Sequence, residues 1–164
     1  MHREGHVGAA LALYAPVGFL AYVSGVRSLA VLGAAGAVVL ASLPDQDLRI
    51  PFVSHRGITH TVWFALLVAG VLGAGTAYVG REAGTADATG IGAFAAVVGF
   101  VTILSHIAAD ALTPMGVAPF EPIRGRTYSL SVTTAANPIA NYLLLILGGG
   151  LAVGAFVLAS TVSA

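Results

Sequence analysis

Five apolar stretches, residues 7–23, 28–43, 61–79, 91–112 and 139–159, confine this chain to a bundle of membrane helices. No water reaches backbone amides inside lipid, so an apolar span satisfies its hydrogen bonds by coiling. A crossing takes roughly 17–25 residues. The second stretch, rich in Ala, Gly and Val, is the shortest and the least secure. Only 9% of residues are charged and 57% are hydrophobic, against about 25% charged in a soluble domain. The expected fold is all-α: one integral membrane domain over residues 1–164, with about five transmembrane helices and a polar metal site at one membrane face. Gly33, Ala34, Gly36, Ala37, Gly70, Gly73 and Gly148 to Gly150 give such helices faces that pack closely.

Composition closes several routes. The chain has no cysteine, which removes disulfides and thiolate metal sites. All seven basic residues are arginine, net charge is zero, and no basic tail or stripe suits nucleic acid. The first apolar stretch is expected to be a retained helix, because His2, Glu4 and His6 crowd the short region that a cleaved leader keeps basic. There is no internal repeat.

Threading five helices through a bilayer sorts the connections. Residues 24–27 form a tight turn and 80–90 a small polar loop, whereas 44–60 and 113–138 are longer and hold most polar side chains. The side of the N-terminus receives Arg3, Arg49, Arg56, Arg124 and Arg126; the other receives Arg27 and Arg81. The positive-inside rule makes the first side cytoplasmic. The same threading sends His2, His6, Asp45, Asp47, His55 and His60 to that side. His106 and Asp110 lie near the end of the fourth helix there, His106 only about 10 Å below Thr113. Separate stretches thus converge on one face, which supports the short second helix.

Each group has a bland reading as well as a chemical one. His106 and Asp110, spaced i, i+4, share a helix face and can grip one ion; alternatively they hydrogen-bond each other to seal two helices. An ionisable group there costs about 2.5–3.5 kcal/mol on insertion scales, so something must compensate. Pro44 stops the second helix, and Asp45 and Asp47 then turn toward a cation or simply form a polar helix exit. In His55-Arg56-Gly57-Ile58-Thr59-His60, Gly57 permits a tight turn and Thr59 caps the next helix, aiming both imidazoles at the face. Arg56 binds a phosphate or pairs with Asp45 or Asp47. His6 opens the first helix behind Glu4, which suits the helix dipole. Arg124 and Arg126 contact an anionic group or anchor the loop by the positive-inside rule. Asn137 and Asn141 flank the start of the last helix, as caps or as supports for a metal ligand.

These pieces, in order, resemble the YdjM-type family, described as inner-membrane metal-dependent hydrolases. The matching motifs are Glu4-Gly5-His6, Leu43-Pro44-Asp45-Gln46-Asp47, His55-Arg56-Gly57-Ile58-Thr59-His60, and the run from Ser105-His106 through Asp110-Ala111-Leu112-Thr113-Pro114-Met115-Gly116-Val117. They span nearly the whole chain. Family members often carry a histidine after the second aspartate, where this chain has Leu48. The resemblance implies metal-dependent hydrolysis at a membrane.

The expected function is therefore a membrane-bound, metal-dependent hydrolase. His6, Asp45, Asp47, His55, His60, His106 and Asp110 are the metal-ligand candidates, for one or two ions of zinc, manganese or iron. Asp45, Asp47, Arg56 and His60 are the expected catalytic groups, and Arg56, Arg124 and Arg126 the substrate contacts. Position at headgroup level favours a lipid-like amphiphile, and arginine favours a phosphoester; an amide or ester is also compatible. Two other classes compete. A metal or ion transporter would use the same ligands but needs polar groups through the whole bilayer. A structural membrane protein would hold no metal and tolerate apolar replacement of the whole cluster.

Overall fold

The computed structural model describes residues 1–163. Five helices follow in order: α1 Arg3–Val23, α2 Arg27–Leu40, α3 Val62–Glu82, α4 Ala88–Ala111 and α5 Pro138–Val162. No strand occurs among the described residues, and all five hydrophobic segments are long and apolar enough to cross a membrane once α2 is joined to the 3-10 turn Pro44–Arg49. The helices begin and end within a few residues of the apolar stretches.

α1 and α4 form the centre. α1 packs along α5 on one side and α4 along α3 on the other, with α2 wedged against both α1 and α4. Two apolar cores follow from that layout. Ala10, Tyr14, Ala37, Ala41 and Val98 join α1, α2 and α4, whereas Ala65, Val68, Ile103 and Ile107 join α3 to α4. Small side chains dominate, since helices in lipid associate through close packing and not by expelling water. The α1–α5 seam shows this at Gly8 and Gly148, where a Cβ on either residue would collide with the other helix's backbone.

α2 has 14 residues, about 21 Å of helix against a hydrocarbon core of about 30 Å. It stops early at Leu40, and the chain then turns through Pro44–Arg49 as a 3-10 segment. That early end leaves the Ala41 carbonyl without a helical partner, free for a side chain. At the opposite end the turn after α1 closes on Gly25, and Tyr14 inside the core donates its hydroxyl to the Ala30 carbonyl.

The long connection after α4 folds back as a strap. Val117 and Tyr128 bridge antiparallel, and Leu130 and Val132 donate to the carbonyls of Ala111 and Leu112 at the end of α4. Gly116 takes φ +64°, and a Cβ there would strike the strap at Tyr128; only glycine suits the position. Asn137 caps α5 by accepting from Ile139 and Ala140.

Candidate metal centre

Four stretches of the chain deliver one to three polar side chains each to one end of the bundle. α1 brings His6, the 3-10 turn after α2 brings Asp45 and Asp47, the segment before α3 brings His55, Arg56 and His60, and α4 brings His106 and Asp110. His6, His60, His106 and Asp110 are fully buried. The Asp45 side chain is 21% exposed and that of His55 34%, so these two open the cluster to its surroundings.

The centre is a set of three imidazole nitrogens around two carboxylates. His6 Nε2 lies 3.6 Å from both Asp45 Oδ2 and Asp110 Oδ1. His60 Nε2 is 3.5 Å from Asp45 Oδ1 and from Asp110 Oδ2. His106 Nε2 is 3.4 Å from Asp45 Oδ1 and 3.8 Å from Asp110 Oδ2. Bonds of 2.0–2.1 Å to one tetrahedral ion put neighbouring ligand atoms about 3.3–3.4 Å apart. The separations leave room for an ion among these atoms and are longer than the short hydrogen bonds of charged pairs.

The outer nitrogens fix the tautomers. His106 Nδ1 donates to the Ala41 carbonyl at 2.7 Å, so in the neutral ring its Nε2 carries the lone pair. His60 Nδ1 faces Thr59 Oγ1 at 3.0 Å and Asp47 Oδ2 at 3.4 Å. The Thr59 hydroxyl is already donated to Asp47 at 2.9 Å, so His60 Nδ1 donates, and in the neutral ring its Nε2 is also a lone pair. The two Nε2 atoms stand 3.1 Å apart. Two lone pairs at that distance repel unless a cation or proton lies between them. His6, stacked on His106 at 3.6 Å, has neither ring nitrogen hydrogen-bonded, and Asp110 Oδ2 is likewise buried without a partner. Orphaned buried polar atoms are rare, and here His6 Nε2 and Asp110 Oδ2 both lie against the other members of the cluster. The donor set of imidazole and carboxylate suits zinc, manganese or iron.

Two ligand groups share Asp45: one with His6, His106 and Asp110, the other with His55 and His60. Asp47 has a different position from the one its spacing suggests. In a 3-10 turn, with 3.0 residues per turn, residues two apart point to different sides. Asp45 turns to the centre, while Asp47 turns to the following loop. There it is buried and accepts from His55 Nδ1 at 3.0 Å, from Arg56 N at 3.2 Å and from Thr59. It orients imidazoles and the ligand groups leave it out.

Arg56 also sits otherwise than expected. Its guanidinium turns inward, reaching Asp110 Oδ1 at 2.9 Å, the Gly116 carbonyl at 2.8 Å and Thr113 Oγ1 at 3.0 Å. It pairs with Asp110, with Asp45 and Asp47 left to other partners, and it ties the loop before α3 to the strap after α4. The Met1 amino group meets the same Asp110 oxygen. Within His55 to His60 the left-handed residue is Arg56 itself, at φ 61°, with Gly57 at φ −84°. The cap of α3 is Thr61, which accepts from Phe64 N, and Thr59 serves Asp47. Asn141 binds His2 N and the carbonyls of Ala135 and Asn137, clamping α1 to α5 without touching a ligand. Arg124 and Arg126 lie exposed on the strap, Arg126 over the Tyr128 ring, and line neither cavity beside the cluster.

Fold and site together define a polytopic helical membrane protein with a buried imidazole–carboxylate cluster, able to hold a metal ion, at one end of the bundle. The family model of the YdjM inner membrane protein matches residues 1–163. The chain belongs to that family. No curated protein and no solved structure matches it.

Proposed function

We propose that the protein is a membrane-bound, metal-dependent hydrolase acting on a phosphoester of a lipid or similar amphiphile. The observation that carries this reading is the facing pair of His60 and His106 Nε2 atoms at 3.1 Å, with the orphaned nitrogen of His6 and oxygen of Asp110 beside them. His6, Asp45, His60, His106 and Asp110 would hold a divalent ion. Asp45 belongs to both ligand groups, so it is the natural bridge for two ions, the second using His55. Bound there, an ion supplies Lewis acidity and brings the acidity of water toward neutral pH.

The chain's own groups supply orientation and proton handling. Ala41 and Asp47 hold His106 and His60 in the tautomers that present Nε2 inward. His55, with Nδ1 on Asp47, presents Nε2 at the partly open edge, where it can take a ligand position or a proton. Asp45, also partly open, sits where a substrate arrives. Arg56 neutralises one oxygen of Asp110 and leaves the other for the ion. Zinc is the first metal to test, then manganese and iron.

Sidedness follows from charge. The cluster end carries Arg3, Arg49, Arg56, Arg124 and Arg126, and the far end Arg27 and Arg81. The positive-inside rule then makes the site cytoplasmic. Transport is the weaker reading, because the polar lining stops. Below the cluster, Ser105 and Thr102 are spent on their own helix at the carbonyls of Thr102 and Val98, and Tyr14 on Ala30. The test is hydrolysis of a generic phosphodiester and of short-chain phospholipids by detergent-purified protein. Activity abolished by chelator, restored by added metal and absent in His60→Ala supports the proposal. Metal-loaded protein inert toward every phosphoester and ester offered contradicts it.

A further inference from the structure

Two cavities flank the cluster, and their charges differ. The one beside His55 has a volume of about 580 Å³ and includes Glu121, while Arg56 at its wall is already bound to Asp110. The other, about 490 Å³, opens beside Asp45 and is lined by Arg3, Ser42, Gln46 and Arg49. Among the described residues neither Arg3 nor Arg49 has an ion pair or a side-chain hydrogen bond. The Ser42 hydroxyl is buried there without a partner. An anion meets the Glu121 carboxylate in the first cavity, whereas in the second it meets two free guanidinium groups against the one carboxylate of Asp45.

We infer that the cavity beside Asp45 binds the phosphate group of the substrate, with Arg3 and Arg49 as its counter-ions. This rests on the metal reading, in which a bound ion offsets the charge of Asp45 on the cavity wall and so strengthens the binding of an anion by the two arginines. Guanidinium groups suit the site because they meet phosphate through paired N–H donors. Arg3 comes from the start of α1 and Arg49 from the end of the 3-10 turn, so the phosphate bridges the two elements that deliver His6 and Asp45. The lip is apolar: Val39 and Leu48 are 77% and 66% exposed. A lipid tail can therefore follow the outer face of α2 while its phosphate enters.

The experiment measures binding of inorganic phosphate and of a short-chain phosphatidate to metal-loaded protein in neutral detergent, with metal content assayed on the same samples. Arg3→Gln/Arg49→Gln is expected to weaken both ligands by about tenfold or more with metal content unchanged. Arg124→Gln/Arg126→Gln is expected to leave both as in the wild type. Tighter binding of phosphatidate than of phosphate identifies a lipid source; equal binding identifies a soluble phosphoester, and both agree with the subsite. Wild-type affinity in the Arg3/Arg49 variant overturns it, as does loss of binding in the Arg124/Arg126 variant. Phosphate binding through Arg3 and Arg49 in a protein that takes up no metal upholds the subsite and removes the hydrolase. Metal retention without phosphate binding does the reverse.

Discussion

At one end of the bundle the helices meet through His6, Asp45, His60, His106 and Asp110; at the other α1, α2 and α4 meet through Tyr14, Ala30, Gly33 and Phe94. The second end is what lipid-embedded helices require: small side chains, close backbones, and one hydroxyl spent on one carbonyl. The first end breaks that rule at a cost in desolvation for each ionisable group. It also leaves buried lone pairs facing each other. A structural polar lock, such as Tyr14 on Ala30, satisfies its own atoms. The cluster satisfies the outer nitrogens of His60 and His106 and leaves the inner ones open, which is the arrangement of a site able to hold an ion.

Breaking the polar end has the largest expected effect. His106→Ala or Asp110→Ala should reduce retained metal to background, with helical circular dichroism and detergent gel-filtration profile unchanged. Wild-type metal content in either variant would remove these residues from the centre.

Asp47 tests whether orientation and ligation are separate. Its carboxylate holds His55, His60, Thr59 and the Arg56 amide. Asp47→Ala should weaken metal affinity by about 10- to 100-fold, as loss of such supports does, measured by competition with a chelator. Complete loss would make Asp47 a ligand.

Acid should discriminate the two ends as well. The inner imidazoles bind metal only when neutral, so protons compete for Nε2. Retention should fall on acidification and return on neutralisation, followed by metal analysis after dialysis at each pH. The Tyr14–Ala30 contact binds no metal, so the bundle should stay folded when the ion leaves.

The smallest effects belong to the apolar half. Tyr14→Phe should cost about 1 kcal/mol of stability, read as a lower midpoint of detergent-solubilised unfolding. Asp87→Ala, which removes the cap on Gly90, should cost about 0.5–1 kcal/mol. Neither should change metal content. A metal deficit in either would mean that the two ends are coupled more tightly than their contacts indicate.

The helices were legible because lipid imposes a length and an apolar composition on each span, and α1 through α5 follow those stretches closely. The convergence of His6, Asp45, His55, His60, His106 and Asp110 was legible from threading alone. What escaped were directions within the loops. Asp45 and Asp47 read as a matched pair, but the 3-10 turn sends them to different sides. Thr59 reads as the cap of the next helix, but the folded loop gives that role to Thr61 two residues on. Arg56 reads as a phosphate contact or a partner of Asp45 or Asp47, whereas its left-handed backbone turns it inward to Asp110. Arg3 and Arg49 entered only as orienting charges, since nothing in their neighbours announces a shared cavity.

Elemental analysis of the detergent-purified protein, after dialysis without chelator, tests the central claim most directly. The account predicts one or two equivalents of zinc, manganese or iron in the wild type and none in Asp110→Ala. A wild-type protein that holds no metal, even after each ion is added back, would contradict it and leave the cluster as a structural seal.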